Sequence, residues 1–222
     1  MRLSLRSAAL PTLCLAPLWM GACVAPAYPP PPPPQELAQE VYLLLEGEHT
    51  GVVLPLGPER WVEFSYGDWG WVVEGKSSSS YAMYALMNAT QGALGRREIE
   101  GPPRADPIYE VRGTSFQPFL AERGRVDALL QRLEEEFHRD GQTPFHNTGF
   151  DLHYVPALHD YELDHHCAHA TMEWLRDLGC ETNPGGIVRS VKLLGITPLE
   201  ALPRPSGVAG SAQSALATPM SE

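Results

Sequence analysis

Basic residues are scarce in this chain of 222 residues: 16 Lys and Arg stand against 27 Asp and Glu, a formal net charge of −11. Two of the sixteen, Arg2 and Arg6, lie at the extreme N-terminus, so a chain without that segment carries 14 basic against 27 acidic residues. Such a surface repels phosphate backbones and anionic headgroups, which argues against nucleic-acid binding and against membrane attachment through a basic patch. Apolar runs are short as well. The longest leading candidate, Ala8 to Trp19, is interrupted by Pro11 and Pro17 and falls well below the roughly 20 residues of a spanning helix. Cysteines number four, Cys14, Cys23, Cys167 and Cys180; only Cys167 and Cys180 lie in the expected domain, where they could form one disulfide in an exported protein. No CxxC pair and no HExxH pattern is present, so the usual zinc signatures are missing.

The N-terminus reads MRLSLRSAALPTLCLAPLWMGAC. Arg2 and Arg6 form a basic segment, an apolar stretch follows, and the small pair Gly21-Ala22 precedes Cys23. That layout is a cleaved signal peptide over residues 1–22. Gly-Ala-Cys resembles the lipobox of bacterial lipoproteins, with Met20 where Leu is commoner. The resemblance implies a diacylglycerol and a further acyl chain at Cys23, a lipid bilayer as partner, and a membrane-anchored protein of the cell envelope facing the periplasm. Residues 23–36, with Pro29 to Pro34, read as a lipidated Cys and a polyproline II tether. From about Pro203 the chain is rich in Ala, Ser, Pro and Gly, so 203–222 reads as a disordered tail. One domain is expected over residues 37–202.

Within it, Val41 to Leu45 is a continuous apolar run of strand type. His49 to Leu54 is a second, and Trp61 to Tyr66 mostly alternates, as consecutive antiparallel strands would. Ile108 to Val111 and Phe150 to Val155 read as short strands. Ser77 to Ser80 offers N-caps for a helix through Met87. Val126, Leu129, Leu130, Leu133 and Phe137 form a helical stripe, as do Met172, Leu175 and Leu178 before Gly179. Strands and helices segregate, which predicts an α+β fold.

Cys167 stands at the start of the last helix, with Asp164 as an expected N-cap. A thiol in a first helical turn meets the positive end of the helix, which favours the thiolate nucleophile. On this local evidence alone, a small buried residue at a helix start, the commonest fate of a Cys, is the favoured account. If a helix ran through both Cys167 and Cys180, they would lie about 20 Å apart, too far for a disulfide. His49, at the mouth of a strand, is the candidate distant base; the alternative is a capping histidine. Glu63 and Asp68 are candidates to orient its second nitrogen, although an Asx turn in Gly67-Asp68-Trp69-Gly70 also accounts for Asp68. His159, His165, His166, Cys167 and His169 crowd one short stretch, and His165 and His169 have the i, i+4 spacing of a metal-chelating pair. They are weak metal candidates, and no cofactor is indicated.

Three stretches carry a family resemblance: His49 to Pro55, Val62 to Gly70, and Cys167 through Trp174-Leu175-Arg176 to Gly179. They resemble a bacterial family known as domain of unknown function 2459, some members of which are encoded near urease genes, over about Val41 to Leu199. Where that family has Asn-type residues beside the Cys and Thr and Trp just after, this chain has His166, Ala168 and His169. The order His first and Cys later is similar to circularly permuted papain-like proteins of the NlpC type, in which a helix presents the Cys against a small antiparallel sheet. The resemblance implies Cys167 as nucleophile, His49 as general base, Glu63 or Asp68 as orienting group, and the Cys167 N–H in an oxyanion hole. It implies thiol hydrolysis or acyl transfer on amide or acyl substrates, with peptidoglycan peptides or lipid-linked acyl groups as substrate classes. A non-catalytic envelope binding or structural lipoprotein, and a periplasmic metal-binding protein using the histidine cluster, stand as alternatives.

Overall fold

The computed structural model describes residues 24–139, 141–183 and 188–196. The leader expected over 1–22, the acylation expected at Cys23 and the tail expected over 203–222 lie outside the described residues.

Ten strands and five α-helices follow one another: β1 (Val24–Tyr28), β2 (Ala38–Glu46), β3 (His49–Gly57), β4 (Arg60–Asp68), α1 (Trp69–Val72), α2 (Ser79–Met87), β5 (Thr90–Glu100), α3 (Pro107–Val111), β6 (Ser115–Glu122), α4 (Arg123–Phe137), β7 (Phe145–Asn147), β8 (Leu152–Tyr161), α5 (Cys167–Asp177), β9 (Glu181–Thr182) and β10 (Ser190–Leu193). Seven strands make one sheet in the order β6-β2-β3-β4-β5-β8-β7, and each neighbouring pair is antiparallel. A smaller sheet, β10-β1-β9, completes an α+β architecture.

Side chains alternate across a strand, and both faces of the large sheet are covered. One face carries Val41, Leu43, Val52, Leu54, Val62, Phe64, Leu94 and Val155. These pack against the stripe Val126, Leu129, Leu133 and Phe137 of α4, against Met172, Trp174 and Leu175 of α5, and against Ala25, Ala27 and Val191 of the small sheet. The other face carries Tyr42, Leu44, Val53 and Ile99 under Tyr109 of α3, and Ala93, Leu152 and Tyr154 under Val72 of α1. Coverage of both faces explains why Val41 to Leu45 reads as an unbroken apolar run.

Two expectations are corrected. Ile108 to Val111 is not a strand but part of helix α3, because the Asp106 side chain caps the Ile108 N–H and Pro107 occupies the first turn, where its missing N–H costs nothing. The tether expected over 23–36 is not a free spacer. Its residues Val24–Tyr28 form β1, parallel to β10 and antiparallel to β9, with Ala25 and Ala27 buried. Because β9 pairs only with Ala27 and Tyr28, Pro26 sits where a missing donor is tolerated. Beyond β1, Pro30 lies over Gly179.

Gly92 shows how tightly β5 meets its neighbours: a Cβ there would lie 2.3 Å from the His159 carbonyl oxygen and 2.3 Å from the Tyr66 hydroxyl. Gly92→Ala is therefore expected to destabilise the domain by about 1–3 kcal/mol, the usual cost of overpacking. Urea unfolding checks this, and a midpoint matching the parent would show that β5 and β8 can separate freely.

Candidate functional site: the thiol at the start of α5

Helix α5 begins at Cys167 because the chain reverses just before it. Glu162 and His165 exchange backbone hydrogen bonds in both directions, each 3.1 Å, which places Asp164 in the turn. The N-cap is therefore His166, whose Nδ1 accepts from the Ala168 N–H at 3.3 Å, and not Asp164. The i, i+4 pair is also broken by this start, since His165 precedes the helix and His169 lies within it.

Strand β3 and α5 meet at two threonines. Buried Thr50 donates through Oγ1 to Thr171 Oγ1 at 3.0 Å, one turn along from Cys167. The Cys167 thiol itself lies against the backbone N–H groups of Thr50 and Ala168. The helix start, as the sequence suggests, and the strand N–H of Thr50 both favour a thiolate, but burial outweighs them. Although the residue as a whole keeps partial exposure, enclosure of its sulfur pushes the thiol pKa up to about 11. The thiol is thus neutral at physiological pH, the reverse of the depressed value expected at a helix start. Cys180 is also a free thiol.

Thr50 faces α5, so His49 faces the other way. No register shift falls between His49 and Val53, and Val53 belongs to the cluster on the side away from α5. The electrostatics agree, since His49 feels Glu63 and Arg112, which lie on that side. Burial lowers its pKa to about 4, with the Glu63 charge opposing and the Arg112 charge adding to the effect. Among the described residues no hydrogen bond joins His49 to Cys167.

The two orienting candidates separate in the same way. Glu63 is fully buried; it accepts from Tyr109 Oη at 2.8 Å and from Arg112 Nη2 at 2.9 Å. Arg112 also binds Glu46 through Nε at 2.8 Å. Asp68 lies on the α5 side of β4, where it caps α1 by accepting from the Trp71 N–H at 2.7 Å and takes the Thr90 hydroxyl at 2.6 Å. It shares that region with Tyr161, whose phenol is held well above its ordinary pKa by burial first and then by the nearby Cys167 and Asp68. The structure thus groups Cys167 with Thr50, Tyr161 and Asp68, and His49 with Glu63, Glu46, Arg112 and Tyr109. Sequence reasoning missed Tyr161 because the expected strand covers only Phe150 to Val155, whereas β8 runs to Tyr161.

The four histidines between 159 and 169 pair as rings. His159 and His165 lie 5.0 Å apart between centroids, and His166 and His169 lie 4.4 Å apart. Nδ1 of His169 is buried without a partner. Among the described residues no group of three or more His, Cys, Asp or Glu side chains is arranged to hold a metal ion. His159 and His165 instead line a cleft of about 370 Å³ with Tyr66, Glu136, Glu173 and Trp174, between β8, α4 and α5. Cys167 does not line it. Comparison with known proteins found no matching family model, no matching curated protein and no matching solved structure.

Proposed function

We propose that this chain is a lipoprotein of the bacterial cell envelope, anchored through Cys23 and facing the periplasm, whose domain acts as a binding module. Support for the anchor comes from the Gly21-Ala22-Cys23 motif behind a basic and apolar leader. The observation that carries the binding reading is the divided pair: the thiol is neutral and enclosed, while the imidazole is neutral and turned into the Glu63–Arg112 network. A nucleophile needs a base within hydrogen-bond reach. The cleft between β8, α4 and α5, walled by aromatic rings and by charges of both signs (Glu136 and Glu173, Arg132 and Arg139), is a concave surface that a ligand can occupy.

A second reading is thiol chemistry on a permuted papain-like scaffold, as the family resemblance implies. It is favoured by Cys167 being the first residue of an eleven-residue helix packed on the strand that carries His49. In that reading the thiol gives its proton to His49 as sulfur attacks an amide or ester carbonyl. The leaving amine or alcohol takes the proton, and water or an acceptor releases the acyl group. The candidate substrates are peptidoglycan peptides or lipid-linked acyl groups.

Iodoacetamide alkylation of Cys167 against pH separates the two, with Cys180 replaced by Ala. The binding reading expects a profile rising towards pH 11 and unchanged by His49→Ala. At neutral pH the rate should be at least about tenfold below that of a free cysteine, whose pKa is about 8.5. An apparent pKa well below that value, rising when His49 is removed, would overturn it in favour of catalysis.

A further inference from the structure

If Cys23 carries the lipid, the domain has no spacer behind it, because Val24 already belongs to β1. The end of the sheet at which Val24 lies is then held at the bilayer surface. Val24 pairs with Ser190, and the adjoining Arg189 forms an ion pair with Glu48, next to the first residue of β3. The start of β3 is the same end as the finish of β4, since Gly51 pairs with Ser65. Asp68 pairs in turn with Gly92, and Thr90 with Tyr161. The chain leaves Asp68 directly into α1 and α2. Helix α2 is fixed there through Tyr81, whose hydroxyl covers the space above Gly70 and hydrogen-bonds Asp68.

This end carries an apolar surface that none of the described residues covers. Met83, Tyr84 and Met87 of α2 are 62%, 55% and 68% exposed, and Trp71 and Leu163 are 37% and 40% exposed. From Ser77 to Gly95 the sequence holds no charged residue, in a chain that is otherwise strongly acidic. Exposed apolar patches of this kind mark interaction surfaces, and Trp and Tyr are the residues favoured at headgroup depth. We propose that α2 and Trp71 rest on the lipid surface itself, a zwitterionic phospholipid bilayer, so that the domain stands end-on with β1 and α2 against the membrane. The one Lys beside the patch, Lys76 over the Tyr81 ring, is paired with Glu74, so the patch offers no net basic charge, which selects zwitterionic over anionic headgroups. This inference rests on the acyl anchor at Cys23 and goes beyond it, by fixing which surface the anchor presses to the bilayer.

The test uses the full chain, produced with its leader in a bacterium and reconstituted in phosphatidylcholine vesicles. A nitroxide is placed at Met87→Cys, and at Glu100→Cys as the control at the opposite end of β5. The parent protein treated with the same label sets the background from Cys167 and Cys180. Collision with oxygen relative to a water-soluble nickel chelate is expected to be at least threefold higher at 87 than at 100. Equal, aqueous values at both sites in protein that carries the acyl mass and floats with the vesicles would overturn the membrane contact and leave the anchor standing. An unmodified Cys23 with protein remaining in the aqueous fraction would remove the anchor and the contact together. A label at 87 screened from both quenchers, in protein that is dimeric in detergent, would assign α2 to a second copy instead and overturn the proposal.

Discussion

Arg112→Ala should cost on the order of 3–5 kcal/mol of folding stability, the range seen when one partner of a buried ion pair is removed. Arg112 has a side chain only 3% exposed, facing a Glu63 side chain with no exposure at all. It binds both Glu63 oxygens, Glu46 and the Phe150 carbonyl. Without it, the Glu63 carboxylate is left with the Tyr109 hydroxyl and no counter-charge. Arg112→Lys should lose most of this stability too, because an ammonium cannot reproduce the planar fork that spans three acceptors. Glu63→Gln in the Arg112→Ala background should restore part of the loss by removing the stranded charge. Urea unfolding at pH 7 measures all three variants. A cost below about 1 kcal/mol for Arg112→Ala would mean that water reaches Glu63 and that the network is not a closed one.

Acidification should destabilise the domain sharply between pH 6.5 and 4. Burial lowers the pKa of His49 and of His166 from 6.5 to about 4 in the folded protein, with the His169 charge adding to the effect at His166. The unfolded chain therefore takes up protons in this interval that the folded chain refuses, so stability falls as pH drops and is fully present above pH 6.5. Each histidine contributes on the order of 3 kcal/mol to that loss, from about 1.4 kcal/mol per pKa unit. His169 is depressed in the same direction, by burial first. Glu98, held below its usual range by Arg96 and Arg60, gives up its stabilisation only at lower pH, so the histidine window stands apart from carboxylate titration. His166→Asn keeps a side-chain acceptor at the N-cap and should flatten the slope without removing the cap. Unfolding midpoints that stay level from pH 7 to 4.5 would show that both rings protonate freely in the folded state.

Much of the architecture was legible in the sequence because local rules specify it. The runs at Val41, His49 and Trp61 became β2, β3 and β4. The stripe from Val126 to Phe137 became α4, and the segment after His166 became α5 with Cys167 at its first residue. Helix and strand periods are short-range properties, carried by residues two to four positions apart. The segment at Ile108 escaped this reading, since Asp106 and Pro107 dictate a helix too short for periodicity to register. β1 escaped it because five residues beside a proline run show no pattern until β9 and β10 supply partners from more than 150 positions away.

The chain alone thus determined that a cysteine heads a helix, that a histidine opens a neighbouring strand, and that two carboxylates follow on the next strand. Which of these meet was decided by tertiary structure. A strand reverses its face at every residue, so one position separates Thr50, which touches α5, from His49, which points away from it; the same parity divides Asp68 from Glu63. The ionisation of each group was likewise beyond local reading. The helix start that favours a thiolate acts over one turn, whereas the enclosure that pushes Cys167 to about 11 is a sum over atoms from distant segments, visible only once they are packed.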